Sequence, residues 1–101
     1  MQDPLNRSAF ESHLNTTFHL LEEDRGTLEL VEVKDKTPEG FPGEQFSLLF
    51  RGPLDAWLPQ RTYPVEHPKM GRIDLFLVPV AEHKDGYRYE AFFNRSTLDD
   101  A

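Results

Sequence analysis

The stretch that most restricts what this chain can fold into is Ile73 to Asn94, where two apolar, aromatic and β-branched runs flank Asp85-Gly86. Asp-Gly readily supplies the positive φ of a tight turn, so the segment reads as a β-hairpin. A three-residue loop of Lys84, Asp85 and Gly86 sets His83 opposite Tyr87, Glu82 opposite Arg88, Val78 opposite Phe92 and Leu77 opposite Phe93. One face then carries Ile73, Leu75, Leu77, Tyr89, Ala91 and Phe93, and the other Phe76, Val78, Val80 and Phe92. Two apolar faces call for cover on both sides, strands on one and a helix or long loop on the other.

The rest of the chain supplies those partners. Pro4 to Leu14 reads as a short helix, with a capping box at Ser8-Ala9-Phe10-Glu11 or, for a longer helix, a cap at Asn6. Phe10 and Leu14 make its apolar stripe, and Asn15 ends it in the left-handed region. Thr17 to Glu22 and Thr27 to Lys34 read as strands. In the second, Leu28 and Leu30 share one parity while Val31 and Val33 take the other, which places a β-bulge near Leu30. Lys34 to Gly43 is a surface loop anchored by Phe41, and Gln45 to Arg51 returns to strand. Thr62 to Glu66 is a short edge strand, since Pro64 has no N–H for an interior ladder. The expected fold is mainly β (α+β): a curled antiparallel sheet or small, partly open barrel of five to six strands, with one short N-terminal helix closing an end.

Its 101 residues make one domain, large enough to bury about 65% of its unfolded surface, with 95–101 as a flexible C-terminal tail. There is no cysteine, so disulfides and thiolate chemistry are excluded. The net charge of −7 lies mostly in residues 1–35, which hold three basic and eight acidic side chains. Such a chain repels a phosphate backbone, and no nucleic-acid partner is expected. No run approaches the ~18 apolar residues of a membrane span, and the polar start does not read as a signal peptide, so the expected address is cytoplasmic.

The chemistry-bearing residues are scattered. His13, His19, His67 and His83 lack paired metal-ligand spacing, and the acidic set Glu22, Glu23, Asp24, Glu29 and Glu32 lacks the alternating pattern of a calcium loop. Ser47 sits outside any nucleophile elbow, and Asp74 with Glu90 is an ordinary carboxylate pair of an acidic chain. Neither a phosphate cradle nor a cofactor motif is present, so no catalytic, metal or cofactor residues are assigned. The segment Gly52 to Pro68 is the candidate partner-binding surface. Trp57, Arg61 and Tyr63 are residue types that concentrate binding energy, set among prolines that pre-order a loop. The competing reading has Trp57 and Tyr63 plugging the open end of the sheet.

Phe10 to Phe18, Phe46-Ser47-Leu48-Leu49-Phe50-Arg51-Gly52-Pro53, Gln60 to His67, Phe76-Leu77-Val78-Pro79-Val80 and Gly86 to Asn94 together resemble a bacterial family of roughly hundred-residue domains of unassigned function. Glycine is usual in that family where Asn15 stands and common where Arg61 stands. The resemblance implies a small accessory protein encoded near phage-tail-like collar proteins, and supplies no catalytic residues. The expectation is therefore a non-enzymatic structural or protein-interaction module, docking through the Trp57 loop or an exposed strand edge, which would also allow a homodimer. The alternatives are a small-molecule binder using the mouth of the curled sheet and, more remotely, an unrecognised hydrolase built on Asp, Glu and His.

Overall fold

The structure, a computed structural model, describes residues 5–22 and 26–96. A helical turn, α1 (Arg7–Glu11), precedes six strands: β1 (Thr17–Leu20), β2 (Thr27–Asp35), β3 (Gly43–Gly52), β4 (Arg61–His67), β5 (Gly71–His83) and β6 (Gly86–Ser96). All neighbours are antiparallel, and the sheet curls into a ring in the order β1-β2-β3-β6-β5-β4. The expected mainly β architecture with one short helix is what forms.

The seam is narrow. β1 meets β4 only at His19↔Glu66 and Leu20↔Val65, extended by Leu21, whose N–H donates to the Pro64 carbonyl at 3.0 Å. β4, expected at an edge, therefore lies inside the ring between β1 and β5, with Pro64 where β1 runs out. Each strand has a neighbour on both sides over part of its length, and the pairing of β5 with β6 stops at Val78↔Glu90 although β6 runs on to Ser96, so the ring is not a clean barrel. β6 runs through Ser96 and takes in the first two residues of the expected tail, while 97–101 lie outside the described residues.

Strand alternation fills the interior. Leu28, Leu30, Phe46, Leu48, Phe50, Tyr63, Val65, Ile73, Leu75, Leu77, Tyr89 and Ala91 all point inward and are buried. In β2 the register shifts between Leu30 and Glu32, so Val31 is the extra residue and Val33 returns to the inner face opposite Leu48. This is the bulge that the parity change implied.

The hairpin forms with its inner and outer residues as read, but in another register. His83 pairs with Gly86 across a two-residue connection, Glu82 with Tyr87 and Ala81 with Arg88. A second shift between Pro79 and Ala81 then places Val78 opposite Glu90 rather than Phe92. Gly86 joins the strand because it can lie where no side chain fits. Its φ is 142°, and a Cβ there would stand 2.3 Å from the Gly52 carbonyl oxygen. Asp85 fastens the same tip, accepting from Arg88 at 3.0 Å and Arg51 at 3.3 Å. Hydrogen bonding from Arg88, then its charge and the bond from Arg51, holds the Asp85 carboxyl below its ordinary value.

Two elements close the ends. Asn6, rather than Ser8, caps α1, accepting from the Ala9 N–H at 2.8 Å, and the helix is shorter than expected because the chain turns away after Glu11. Asn15 takes φ 65° and donates its N–H to Leu30 at 2.7 Å, steering the chain into β1. Phe10 drops into the ring, its ring centroid 5.3 Å from that of Phe93 and 6.0 Å from that of Phe46. Leu14 is exposed, so the helix presents one apolar anchor rather than a stripe. At the opposite end, β3 and β4 are diametrically placed in a six-membered ring, so the 53–60 segment has to cross the mouth to join them.

Candidate functional site

The crossing segment and the start of β4 carry the residues singled out from sequence, Trp57 in the first and Arg61 and Tyr63 in the second, and their burial differs. Tyr63 is wholly buried on the inner face of β4, its hydroxyl donating to the Pro59 carbonyl at 2.6 Å. It is core, as its parity with Val65 and His67 could have told. Arg61, at the start of β4, is exposed, its guanidinium carbon 4.4 Å from the Tyr63 ring centroid and its Nη2 2.5 Å from Glu22. Trp57 is half exposed, at 52%. The residue that plugs the mouth is Leu58, which is buried and donates its N–H to the Tyr89 hydroxyl at 2.9 Å. Burial raises the Tyr89 phenol above its ordinary value. Nothing in a Trp-Leu-Pro string distinguishes the plug from its neighbour; the hydroxyls of Tyr63 and Tyr89 decide it by anchoring Pro59 and Leu58. Both mouths are thus filled by the protein's own side chains, Phe10 at one and Leu58 at the other.

His67 is buried too, and its chemistry is spent on structure. Its Nδ1 accepts from the backbone N–H groups of Lys69, at 3.0 Å, and Met70, at 3.2 Å, so the proton sits on Nε2. Nε2 donates to the Thr16 hydroxyl at 2.9 Å, which donates in turn to the His13 carbonyl at 2.5 Å. The His67 ring also lies 4.5 Å from Phe18 and 4.6 Å from His13, centroid to centroid. Burial, then the charges of His13, His19 and Lys69, lowers its pKa from 6.5. A neutral imidazole with both nitrogens engaged clamps the β4–β5 turn to the segment after α1. Sequence spacing concealed this, because the three parts stand far apart in the chain.

Among the described residues no three His, Asp or Glu side chains converge to hold a metal; Glu23 and Asp24 of the acidic set lie outside them. Ser47, on the outer face of β3, is buried between Phe92 on one side and Lys34 on the other.

The hairpin's outer face is where the structure departs most from expectation. Cover was expected there, yet Phe76, Val80 and Phe92 are 50%, 49% and 56% exposed. No other described element lies over them, because the one helix and the crossing segment are both committed to the ends of the ring. Three large apolar side chains thus stand exposed on one outer wall of a ring whose interior is filled.

The family comparison now has a fold to attach to. Residues 5–93 match the model of a family described as Domain of unknown function (DUF6916). The chain belongs to that family. The matched span takes in α1 and nearly all of the ring, including the Leu58 plug, the His67 clamp and the exposed wall. No curated protein and no solved structure matches the chain. Among the described residues no helix is long and apolar enough to cross a membrane.

Proposed function

We propose that the domain is a non-catalytic protein-interaction module, an accessory that docks on a larger assembly. The observation that carries this reading is the exposed wall of Phe76, Val80 and Phe92 on a ring whose core is already full. Leaving such residues in water forgoes burial that alternating polar residues would make unnecessary, and a partner that covers them recovers it. The sealed mouths favour a surface function over a ligand held inside. His67, with both nitrogens engaged, supports a structural rather than a catalytic role for the most buried histidine. The resemblance to accessory proteins encoded near phage-tail-like collar proteins makes such an assembly the first class of partner to seek, with the cytoplasm as the place of encounter.

The test is affinity capture from the native host with the tagged full chain, alongside Phe76→Ser/Phe92→Ser and Trp57→Ala variants. A protein that the wild type recovers stoichiometrically and the double Phe variant loses supports the reading. Recovery of no protein partner by any of the three chains, all of them folded, sinks it.

A further inference from the structure

The exposed wall has a charge at its centre. Val78, Glu90, Leu49 and Glu32 stand in one outward row across four adjacent strands, paired Val78↔Glu90, Glu90↔Leu49 and Leu49↔Glu32. Neighbours in such a row have Cβ atoms about 5 Å apart. The adjoining row brings Phe76 beside Thr62, and Phe92 beside Ser47, with Lys34 on the far side of Ser47. Glu90 is half-buried, and among the described residues its carboxylate has neither an ion pair nor a hydrogen bond. The cations that share its wall are engaged or distant. Arg88, two residues away on the same strand, is held by Asp85 at 3.0 Å, and Arg51 by Glu29 and Asp85. Arg72 lies 3.8 Å from Asp74, and Lys34 is two strands from Glu90, about 10 Å by strand spacing. A purely apolar partner would desolvate this carboxylate, set among Val78, Leu49 and Phe92, without compensation.

We propose that this wall binds a protein segment presenting an arginine or lysine flanked by apolar side chains, the cation seated on Glu90 and the apolar groups on Phe76, Val80 and Phe92. This rests on the interaction-module reading and names the chemistry of its partner. A second copy of the chain is the poorer occupant. Each copy carries −7, and a self-complementary contact would press Glu90 and Glu32 against an equally acidic row.

The test uses the full chain and two synthetic peptides of equal length, one alternating Arg with Leu and Phe, the other with Glu in place of every Arg. Binding is followed by amide chemical shifts and calorimetry. The Arg peptide is expected to move the amides of Leu49, Phe76, Val78, Glu90 and Phe92, and the Glu peptide to leave them in place. Glu90→Gln should weaken binding on the order of tenfold, as loss of one charge-assisted hydrogen bond does. Glu39→Gln, the same charge change in the exposed 36–42 loop, should not. Equal weakening by both substitutions would reduce the effect to net charge and overturn the proposal, as would equal binding of the two peptides. Sedimentation showing a wild-type dimer that Phe92→Ser converts to monomer would assign the wall to a second copy. A native partner still captured by Glu90→Gln but lost with Trp57→Ala overturns this inference while leaving the module reading intact; the absence of any native partner defeats that reading instead.

Discussion

The two faces of the β5–β6 hairpin come from the same strands, alternate residues apart, and are nearly equal in apolar content. Leu75, Leu77, Tyr89 and Ala91 are buried, whereas Phe76, Val80 and Phe92 stand about half in water. Ring closure makes the difference. A sheet curled on itself has one concave side, and the side chains on it meet those of every other strand, so Leu77 shares a core with Phe18, Phe50 and Tyr63. The convex side meets only what the chain lays over it, and here the crossing segment and α1 go to the mouths. Apolar residue type alone therefore does not tell core from docking surface; position relative to the curl does.

The widest test of this contrast is a pair of substitutions on adjacent residues of one strand. Leu77→Ala should cost about 2–5 kcal/mol, as large-to-small changes in a packed core do. Phe76→Ser should stay within about 0.5 kcal/mol of wild type. Urea unfolding of both checks it, and a Phe76→Ser loss rivalling that of Leu77→Ala would mean that the outer face is structural after all.

The turn that joins the faces is the next largest effect. Gly86→Ala sets a Cβ against the Gly52 carbonyl at a φ that side chains rarely adopt, and should cost roughly 1–3 kcal/mol in thermal or urea unfolding. Wild-type stability in that variant would mean that the tip relaxes without the β3 contact that sets the hairpin register.

The buried His67 on the inner face gives a pH signature of its own. Protonating His67 places a charge in the core and removes the lone pair that Lys69 and Met70 donate to. Its folded pKa is depressed, so the unfolded chain binds the proton first. The stabilisation is present above about pH 6.5, its unfolded value, and is lost as pH falls below that, by at most about 1.4 kcal/mol per pH unit. His67→Gln should flatten that part of the profile, and an unchanged slope would assign it to other groups.

Least affected should be Trp57→Ala, within about 0.5 kcal/mol, because Leu58 rather than Trp57 seals the mouth. Leu58→Ala is the contrasting variant, expected to cost about 2–5 kcal/mol, and equal losses from the two would restore Trp57 to the core.

Much of the architecture was legible because it follows from local rules. Period-two alternation names the inner residues of β3, β5 and β6, Asp85-Gly86 names the hairpin, and the parity break at Val31 names the bulge. The helix start was harder, since Ser8 and Asn6 both satisfy the capping pattern and only the Ala9 N–H chooses between them. Of the residues singled out from sequence, Trp57 and Arg61 are exposed and Tyr63 belongs to the core, and the outer face of the hairpin, which reads from sequence as a second buried face, is exposed at Phe76, Val80 and Phe92.

Sequence by itself determined that these strands form, which parity each presents and that no thiol chemistry occurs, because backbone sterics, side-chain alternation and composition act over a few residues. Tertiary structure alone decided which apolar face meets water, that β4 lies between two strands, and that His13, Thr16 and His67 share one hydrogen-bonded cluster. Those outcomes depend on how a curled sheet closes and where its connections cross. Closure is a relation between residues distant in the chain, and local pattern carries no record of it.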